Sequence, residues 1–406
     1  MDTIQIFSPS TAMVSEFLAA LSHPIATKAG IATPYAVSLI TTFLASTLIC
    51  WFILASKRFH VSLTSDRITQ IQQVHTGSVP RIGGLAIALA MPFASFNFFA
   101  SSDHPLLYNM MLASTPVFVF GIIEDCTHRV SVPIRLWSAI LSGVLACFIL
   151  KVSLNSIGIG LIDQLLAIPM IAIAFTAFAT AGLASSINML DGLNGLSTTV
   201  TMIALSAIGL LAFEAGGSRD LIDMILLIEC AIAGFWLFNW PWGKIFLGDG
   251  GAYLLGFLLA WVAIVLRHQH PNISAFALLV ICSYPIIETL FSMIRRLGVK
   301  MKVGQPDQKH LHHWVLFHVK HSGKIAPSYA NSVAGILCAL LAIPGALLGL
   351  SNSGSTPWQI GYFVLLCLGY SLLYGALQKS AKKQMGKLDR SSMESAISLS
   401  EGRQLD

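Results

Sequence analysis

Charged residues are scarce in this chain. Asp, Glu, Lys and Arg together make up 11% of its 406 residues, against about a quarter of an ordinary soluble domain. Hydrophobic residues account for 55%, and the mean hydropathy is +0.74. This balance excludes an ordinary soluble protein and indicates a chain that crosses a membrane several times.

Cysteine pairs and several common catalytic motifs are also missing. The seven cysteines are scattered and form no CxxC pair, which excludes a disulfide framework and a cysteine metal site. The sequence holds no Walker-type GxxxxGK[ST], no Rossmann fingerprint, no GxSxG and no HExxH. We therefore expect none of the nucleotide, hydrolase or metalloprotease sites that these motifs build.

Apolar runs fill most of the chain. A hydrocarbon core about 30 Å thick needs roughly 20 apolar residues per helix. Eleven runs come near that length: 34–56, 82–101, 110–123, 133–151, 163–184, 195–213, 221–240, 250–267, 273–294, 328–349 and 358–378. The sequence therefore predicts an all-α polytopic membrane protein with about eleven transmembrane helices.

The basic residues indicate an orientation, because cytoplasmic loops carry the excess of Lys and Arg. With residues 1–33 placed outside, 20 of the 24 Lys and Arg fall in inner segments and 4 in outer ones. We expect a periplasmic segment at 1–33, a transmembrane domain at 34–378 and a flexible basic cytoplasmic tail at 379–406. Because the basic residues line a membrane face, we expect no nucleic-acid partner.

Five polar sequences interrupt the apolar pattern, all on the predicted inner side. They are VHTGSVPRIGG (74–84), GIIEDCTHRVSVPIR (121–135), SINMLDGLNGL (186–196), IFLGDGG (245–251) and PDQKHLHHW (306–314). A transporter or lipid flippase would be expected to place ionisable residues near mid-membrane, where Glu229 and Glu288 are the main candidates. Nearly all others lie at helix ends or in loops, which favours an enzyme at the cytoplasmic interface that uses a water-soluble donor.

Glu124 and Asp125 are adjacent carboxylates at a predicted helix end. Two such groups repel one another unless a cation or a proton separates them. They could hold Mg²⁺ through water, or one could act as a base. The alternative is a solvated helix end.

Asn188, Asp191 and Asn194 recur every three residues and would share one face of a helix. This stripe could bind a charged ligand and its metal, although Asp191 or Asn194 could equally cap a helix.

Asp249 stands among Gly248, Gly250 and Gly251 at the start of an apolar run. Glycines leave backbone N–H groups accessible and let a ligand approach closely, and the start of a helix favours anions such as phosphate. An acid beside a phosphate needs a bridging metal, and Mg²⁺ is held by one or two carboxylates plus substrate phosphates. The sequence therefore predicts Asp249 as a Mg²⁺ ligand, with a simple helix cap as the alternative.

His310, His312 and His313 follow Lys309 in the longest inner loop. A zinc site is disfavoured because adjacent histidine side chains are expected to diverge and no fourth ligand is near. A donor-rich loop that binds phosphate oxygens fits better, with an ordinary surface loop as the alternative.

With VPRIGG, NMLDGLNGL, FLGDGG and HLHH in this order, the sequence resembles the polyprenyl-phosphate N-acetylhexosamine-1-phosphate transferases over about residues 34–378. This is the family of the bacterial undecaprenyl-phosphate GlcNAc-1-phosphate transferase and the phospho-MurNAc-pentapeptide translocase. The resemblance implies that the phosphate of undecaprenyl phosphate attacks the β-phosphorus of a UDP-sugar, releasing UMP and initiating a lipid-linked cell-surface glycan. It further implies Mg²⁺, with Mn²⁺ as a substitute, membrane lipid as partner, and the bacterial inner membrane as location. A homodimer is left open.

The resemblance also implies roles for individual residues. Asp249 and Asp191 match metal positions, Phe246 the aromatic side chain against uracil, and the histidine loop the part that engages the sugar and diphosphate. The other residues expected to bind substrate are Asn188, Asn194, Asn239, Lys309, Arg81 and Arg135. The residues expected to act in catalysis are Glu124, Asp125, Asp191, His310, His312 and His313.

Two departures from the family pattern bear on these roles. Glu124 stands where much of the family has Asp, and Asn194 stands where many members have Asp. Both features, with the form of the histidine loop, favour the saccharide-initiating branch over the peptidoglycan translocase, which remains the alternative. Asp125 is our candidate base for the lipid phosphate.

Overall fold

The computed structural model describes residues 32–59, 79–96, 105–298 and 309–402, and within these ranges the regular structure is helical. The helices of the first half are α1 (Ala32–Ala55), α2 (Gly83–Phe96), α3 (Pro105–Thr127), α4 (Val132–Leu150), α5 (Gly160–Leu166), α6 (Pro169–Leu190) and α7 (Leu196–Glu214). Those of the second half are α8 (Arg219–Asn239), α9 (Gly248–Gln269), α10 (Ala275–Ile281), α11 (Ser283–Gly298), α12 (Leu311–His321), α13 (Pro327–Ala339), α14 (Ala342–Leu350) and α15 (Thr356–Gly402).

Each predicted apolar run corresponds to a helix or a helix pair. Among the described residues, nine segments are long and apolar enough to cross a membrane, α13 and α14 counting as one. The pair α10 and α11, bent by 80°, makes a tenth span if both belong to one crossing. The run 82–101 appears as the 14-residue α2, and its last residues lie outside the described ranges. The all-α polytopic fold is confirmed, whereas the orientation of the termini stays a prediction.

Two elements are longer than the sequence suggested. The short run 110–123 lies within the 23-residue α3, which continues past Pro116. The last helix, α15, continues without a break into the polar segment from 379 and ends only at Gly402, where we expected a flexible tail. The segment predicted at 1–33 lies outside the described residues except for its last two positions.

Helix α9 forms the centre of the molecule. All of its residues from Gly248 to Leu266 are buried, and it packs against α2, α3, α6 and α7. A helix that is apolar on all sides is stable only when other helices or lipid surround it, and here the neighbours are protein. By contrast, Leu48, Phe52 and Phe178 on outer helices are each more than 60% exposed, as lipid-facing side chains would be.

Candidate functional site

The site is built around the first turn of α9. The chain enters this turn through Phe246 and Leu247, which pair with the segment before α2. Phe246 donates its backbone N–H to the carbonyl of Pro80 at 2.9 Å. In the other direction, the backbone N–H of Gly83 donates to the carbonyl of Phe246 at 2.9 Å and that of Gly84 to the carbonyl of Leu247 at 2.8 Å. This backbone pairing fixes the position of Arg81 relative to Asp249.

Asp125 closes the N-terminus of α9. Its two oxygens accept the backbone N–H groups of Asp249 at 2.8 Å and of Gly250 at 2.9 Å, and its side chain is fully buried at the end of α3. Helix-start amides otherwise lack partners, so a buried carboxylate satisfies them and the helix dipole together. The expectation of an amide left open for a ligand is wrong for Gly250, because Asp125 accepts its N–H.

The glycines beside Asp249 have a packing role that the sequence did not predict. A Cβ on Gly84 would collide with the backbone of Gly251, and one on Gly121 would collide with the backbone of Gly250. Gly248 has φ of +77°, and a side chain there would meet the carbonyl of Arg81. Small residues that let helix backbones approach closely are typical of membrane interfaces. The glycines therefore allow close helix contact, and their role in the approach of a ligand stays a prediction.

The carboxylate of Asp249 is paired with two arginines. Arg135, from the first turn of α4, forms an ion pair with Asp249 Oδ2, and Arg81 Nη2 lies 3.6 Å from Asp249 Oδ1. The Arg81 side chain is 27% exposed, against 16% for Arg135. Arg81 and Arg135, which were predicted to bind substrate, are thus paired with Asp249, which was predicted to bind the metal.

Glu124 and Asp125 do not act as a pair. Whereas Asp125 faces α9, Glu124 Oε2 accepts the backbone N–H of Val130 at 2.7 Å and holds the loop between α3 and α4, which leads to Arg135. The repulsion expected between adjacent carboxylates is avoided because each accepts backbone N–H groups in a different place. Their catalytic roles stay predictions, and the contacts give both residues a positioning role.

Asp191 follows the last residue of α6. Ser197 Oγ donates a hydrogen bond to Asp191 Oδ1 at 2.5 Å. Burial raises the pKa of Asp191 to about 6, while the Ser197 hydroxyl and the charge of Arg81 act in the opposite direction. Asp125 also lies within electrostatic range of Arg81 and Asp191. Arg81 therefore links the three aspartates into one site.

Two of the three predicted asparagines, Asn194 and Asn239, form hydrogen bonds that connect the loops and helices around the site. Asn194 donates from Nδ2 to Ser332 Oγ at 3.0 Å, tying the loop after α6 to α13. Asn239 accepts the backbone N–H of Gly195 at 2.6 Å and donates to the carbonyl of Ile245 at 2.9 Å. Asn188 is half-buried on the last turn of α6. Their roles as substrate ligands stay predictions.

The three histidines converge, which corrects the expectation that adjacent histidine side chains diverge. The ring centroids lie 5.3 Å apart for His310 and His312, 4.3 Å for His312 and His313, and 5.9 Å for His310 and His313. His310 precedes the first turn of α12 and has an extended backbone, whereas His312 and His313 lie within that turn. Phe246 is half-buried and Lys309 exposed, and their substrate roles stay predictions.

His312 joins the histidines to the aspartates. A Cβ on Gly192, the residue after Asp191, would lie 2.7 Å from His312 Nε2. Burial, and then the neighbouring rings of His313 and His310, lower the pKa of His312 well below its usual value. This shift favours the neutral imidazole of His312, and its Nδ1 is buried without a hydrogen-bond partner among the described residues.

The described side chains do not form a zinc site. Across residues 32–59, 79–96, 105–298 and 309–402, no group of three or more His, Cys, Asp or Glu could hold a metal ion. Mg²⁺ needs fewer protein ligands, because substrate phosphates and water complete its shell. Asp249 and Asp191 supply donors of that kind.

Comparison with known proteins shows which sequences this chain is similar to. The model of glycosyl transferase family 4 matches residues 107–267, a range that contains Asp125, Arg135, Asp191 and Asp249. Residues 107–267 therefore carry the sequence pattern of glycosyl transferase family 4. The histidine loop and Arg81 lie outside the matched range.

Curated relatives match a longer part of the chain. The chain is 24% identical to the probable undecaprenyl-phosphate N-acetylglucosaminyl 1-phosphate transferase of Bacillus subtilis, over 74% of this chain and 81% of that protein. It is 27% identical to the undecaprenyl-phosphate alpha-N-acetylglucosaminyl 1-phosphate transferase of Escherichia coli K12, over 68% and 75%. For the Escherichia coli O157:H7 protein of the same name, 27% identity extends over 85% and 91%.

Some residues that organise this candidate site were not predicted. Ser197, Gly192 and Val130 carry no sequence signal for their contacts. Glu288 does carry one, because an ionisable residue inside an apolar run is a functional candidate by default. As a mark of a transporter it was one of two candidates, and a structural role or a place close to the inner face was left open; in the structure it contacts His310.

Proposed function

We propose that this protein transfers an N-acetylhexosamine-1-phosphate from a UDP-sugar to undecaprenyl phosphate at the cytoplasmic face of the bacterial inner membrane. The product would initiate a lipid-linked cell-surface glycan. The observation that carries the proposal is the meeting of Asp249, Arg81 and Arg135 with Asp191 and His312. Such a site offers carboxylates to a cation and guanidinium groups to phosphates. The names of the relatives support a polyprenyl-phosphate acceptor and an N-acetylglucosamine-type donor.

Both reactants are anionic, so charge must be neutralised before they meet. Arginine binds phosphate through two parallel N–H groups. Arg135 Nε is buried and has no hydrogen-bond partner among the described residues, so it is a donor that an incoming phosphate oxygen could satisfy. In our proposal Arg135 and the more exposed Arg81 exchange their contact with Asp249 for the donor's diphosphate.

The reaction follows from this placement. An oxygen of the lipid phosphate forms a bond to the β-phosphorus, the bond from that phosphorus to the bridging oxygen breaks, and the electron pair leaves with UMP. Holding the two substrates in line at one interfacial point removes much of the orientational entropy from the barrier. The lipid phosphate needs no strong base at pH 7 if its second pKa is near 6, as for phosphorylated side chains. We therefore assign Asp125 to positioning Asp249.

Mg²⁺ fits the donors present. We propose that the carboxylates of Asp249 and Asp191 hold it, with substrate phosphates completing its shell. When bound, the ion would neutralise charge on the diphosphate and on the leaving UMP. Once Arg81 and Arg135 contact phosphate, Asp249 is free to contact a cation.

The test uses full-length protein purified in detergent, with undecaprenyl phosphate, Mg²⁺ and a panel of UDP-sugars that includes UDP-GlcNAc and UDP-MurNAc-pentapeptide. We expect UMP release with an N-acetylhexosamine donor, and its loss in EDTA and in Asp249→Asn. Asp163→Asn is the matched control. Asp163 lies before the start of α6 and Asp191 after its end, and a 22-residue helix separates them by roughly 30 Å.

The panel of UDP-sugars also distinguishes the proposed function from the two alternatives, a peptidoglycan translocase and a transporter. Release with UDP-MurNAc-pentapeptide alone would identify a peptidoglycan translocase. Absence of release with every donor would reject the transferase proposal and restore the transporter reading.

A further inference from the structure

Glu288 is a buried acid that the proposed reaction does not use. It lies on α11, after the bend from α10, and is 1% exposed. Its Oε1 lies 3.0 Å from His310 Nδ1 and accepts the backbone N–H of Leu311 at 3.1 Å. Its Oε2 accepts the hydroxyl of Tyr370 at 2.6 Å. A buried carboxylate is costly unless each oxygen is satisfied, and here both are.

These partners determine how His310 is held. Because a carboxylate only accepts hydrogen bonds, the Nδ1 of His310 must be the donor in this contact. The other ring nitrogen, Nε2, then remains for a substrate group. A histidine whose Nδ1–H is bound by a carboxylate has a fixed tautomer and a fixed ring orientation.

The last membrane helix supports this arrangement. Tyr370 and Tyr374 both extend from α15 and pack against Phe291 of α11, with ring centroids 5.2 and 4.6 Å from it. Their hydroxyls reach different targets. Tyr370 binds the carboxylate of Glu288, whereas Tyr374 donates to the backbone carbonyl of Lys309 at 2.9 Å. One tyrosine therefore orients the acid and the other anchors the loop.

His310 is connected to Asp191 through the ring of His312. Its ring is parallel to that of His312, with an angle of 3° between the planes and 5.3 Å between the centroids. His312 in turn lies against Gly192, beside Asp191. A change in the orientation of the His310 ring would remove this parallel arrangement with His312.

We infer that Glu288 is a positioning residue that fixes the ring and the Nδ1–H tautomer of His310, and that Tyr370 orients Glu288 for this task. The inference rests on the proposed function for its effect on catalysis. The contact itself can be tested without any substrate.

The first test is NMR of the full-length protein labelled with ¹⁵N-histidine. The chain has 12 histidines, and the signal of His310 is assigned as the one missing in His310→Ala. We expect a proton on Nδ1. A His310 ring without a proton on Nδ1 would overturn the inference, whether or not the protein releases UMP.

The second test is kinetic and follows UMP release. Glu288→Gln keeps the shape and removes the charge, and we expect kcat to fall roughly tenfold or more with little change in KM, similar to the loss when a metal-ligating histidine loses its hydrogen-bond partner. In a His310→Ala background the same substitution should change kcat less than twofold, because residues that act through one another are not additive. Equal losses in both backgrounds would show a merely structural role and reject the inference.

Tyr370→Phe and Tyr374→Phe form a matched pair on the same helix. We expect Tyr370→Phe to lower kcat severalfold and Tyr374→Phe to change it less than twofold, with similar Tm values for both. If the two variants lower kcat equally, the tyrosines only anchor the loop, and the role assigned to Tyr370 is wrong. If the wild type releases no UMP with any donor, the proposed function fails, while the NMR result still decides the Glu288–His310 contact.

Discussion

Asp249 and His310 belong to two parts of the same site that are held in different ways. The turn that carries Asp249 is fixed through backbone atoms, since Asp125 binds its amides and glycines on α2 and α3 touch its main chain. His310 is fixed through side chains, namely Glu288 and, behind it, Tyr370. A backbone contact cannot yield to an added atom, whereas side chains can rotate. We therefore expect the aspartate part to fail completely when it is altered and the histidine part to lose function by degrees.

Gly84→Ala should give the largest effect. Its Cβ would collide with the backbone of Gly251, and overpacking of this kind costs about 3 kcal/mol when nothing can shift. We expect a large drop in Tm in detergent and no measurable UMP release. Gly182→Ala on α6 is the control, because its Cβ would meet nothing within 4 Å. A Gly84→Ala protein with wild-type Tm would contradict the backbone contact.

Asp125→Asn should come next. An amide offers one acceptor oxygen where the carboxylate offers two, so one buried N–H at the start of α9 loses its partner, at a cost of about 2 kcal/mol. We expect a lower Tm and a kcat reduced by the same factor at every pH from 6 to 9. Glu124→Gln is the control, because Gln can still accept the N–H of Val130.

The pH dependence of that variant separates two roles for Asp125. Loss of activity with an unchanged Tm and a displaced pH profile would restore Asp125 as the general base. Full activity of Asp125→Asn across pH would remove both roles.

Asp191 connects the two parts, and its raised pKa gives a prediction with a definite sign. Its pKa of about 6 in the folded protein exceeds the usual value of 3.8, so the folded state binds the proton more tightly. Its effect on stability is therefore unfavourable and grows as pH rises from about 4 to 6. In EDTA, we expect Asp191→Asn to raise stability at pH 7 by up to about 2 kcal/mol, discounted for partial exposure, and to change it little at pH 4. An unchanged Tm at pH 7 would contradict the raised pKa.

Gly192→Ala tests whether a collision with a side chain is less damaging than the collision with backbone in Gly84→Ala. Here the added Cβ would meet the imidazole of His312 instead of backbone, and a side chain can move away. We expect a change in stability below about 1 kcal/mol and a loss of about tenfold in kcat as His312 leaves its place. A Gly192→Ala protein as damaged in folding as Gly84→Ala would show that both parts are equally rigid.

Much of this arrangement could be predicted from sequence, because the helices depend on local composition. Apolar runs located every membrane helix, and the chemistry of acid, glycine and histidine motifs singled out Asp249, Asp191 and His312. What could not be predicted are contacts between distant segments. Nothing near Asp125 indicates that it closes a helix that begins 123 residues later, and nothing near Gly250 indicates that Gly121 lies against it. The glycines were therefore interpreted as residues that let a ligand approach closely, although close packing of helices also requires glycine at these positions.

Bilayer thickness should act on the two parts of the site unequally. Helix α9 is buried along its length from Gly248 to Leu266, so no lipid presses on it and the depth of Asp249 is determined by protein neighbours alone. In the most apolar stretch of α15 only 11% of the residues are buried, so we expect a thicker or thinner hydrocarbon layer to tilt or shift this helix. Because Tyr370 belongs to α15, we expect the spacing between the histidines and the aspartates to vary with the thickness of the surrounding bilayer.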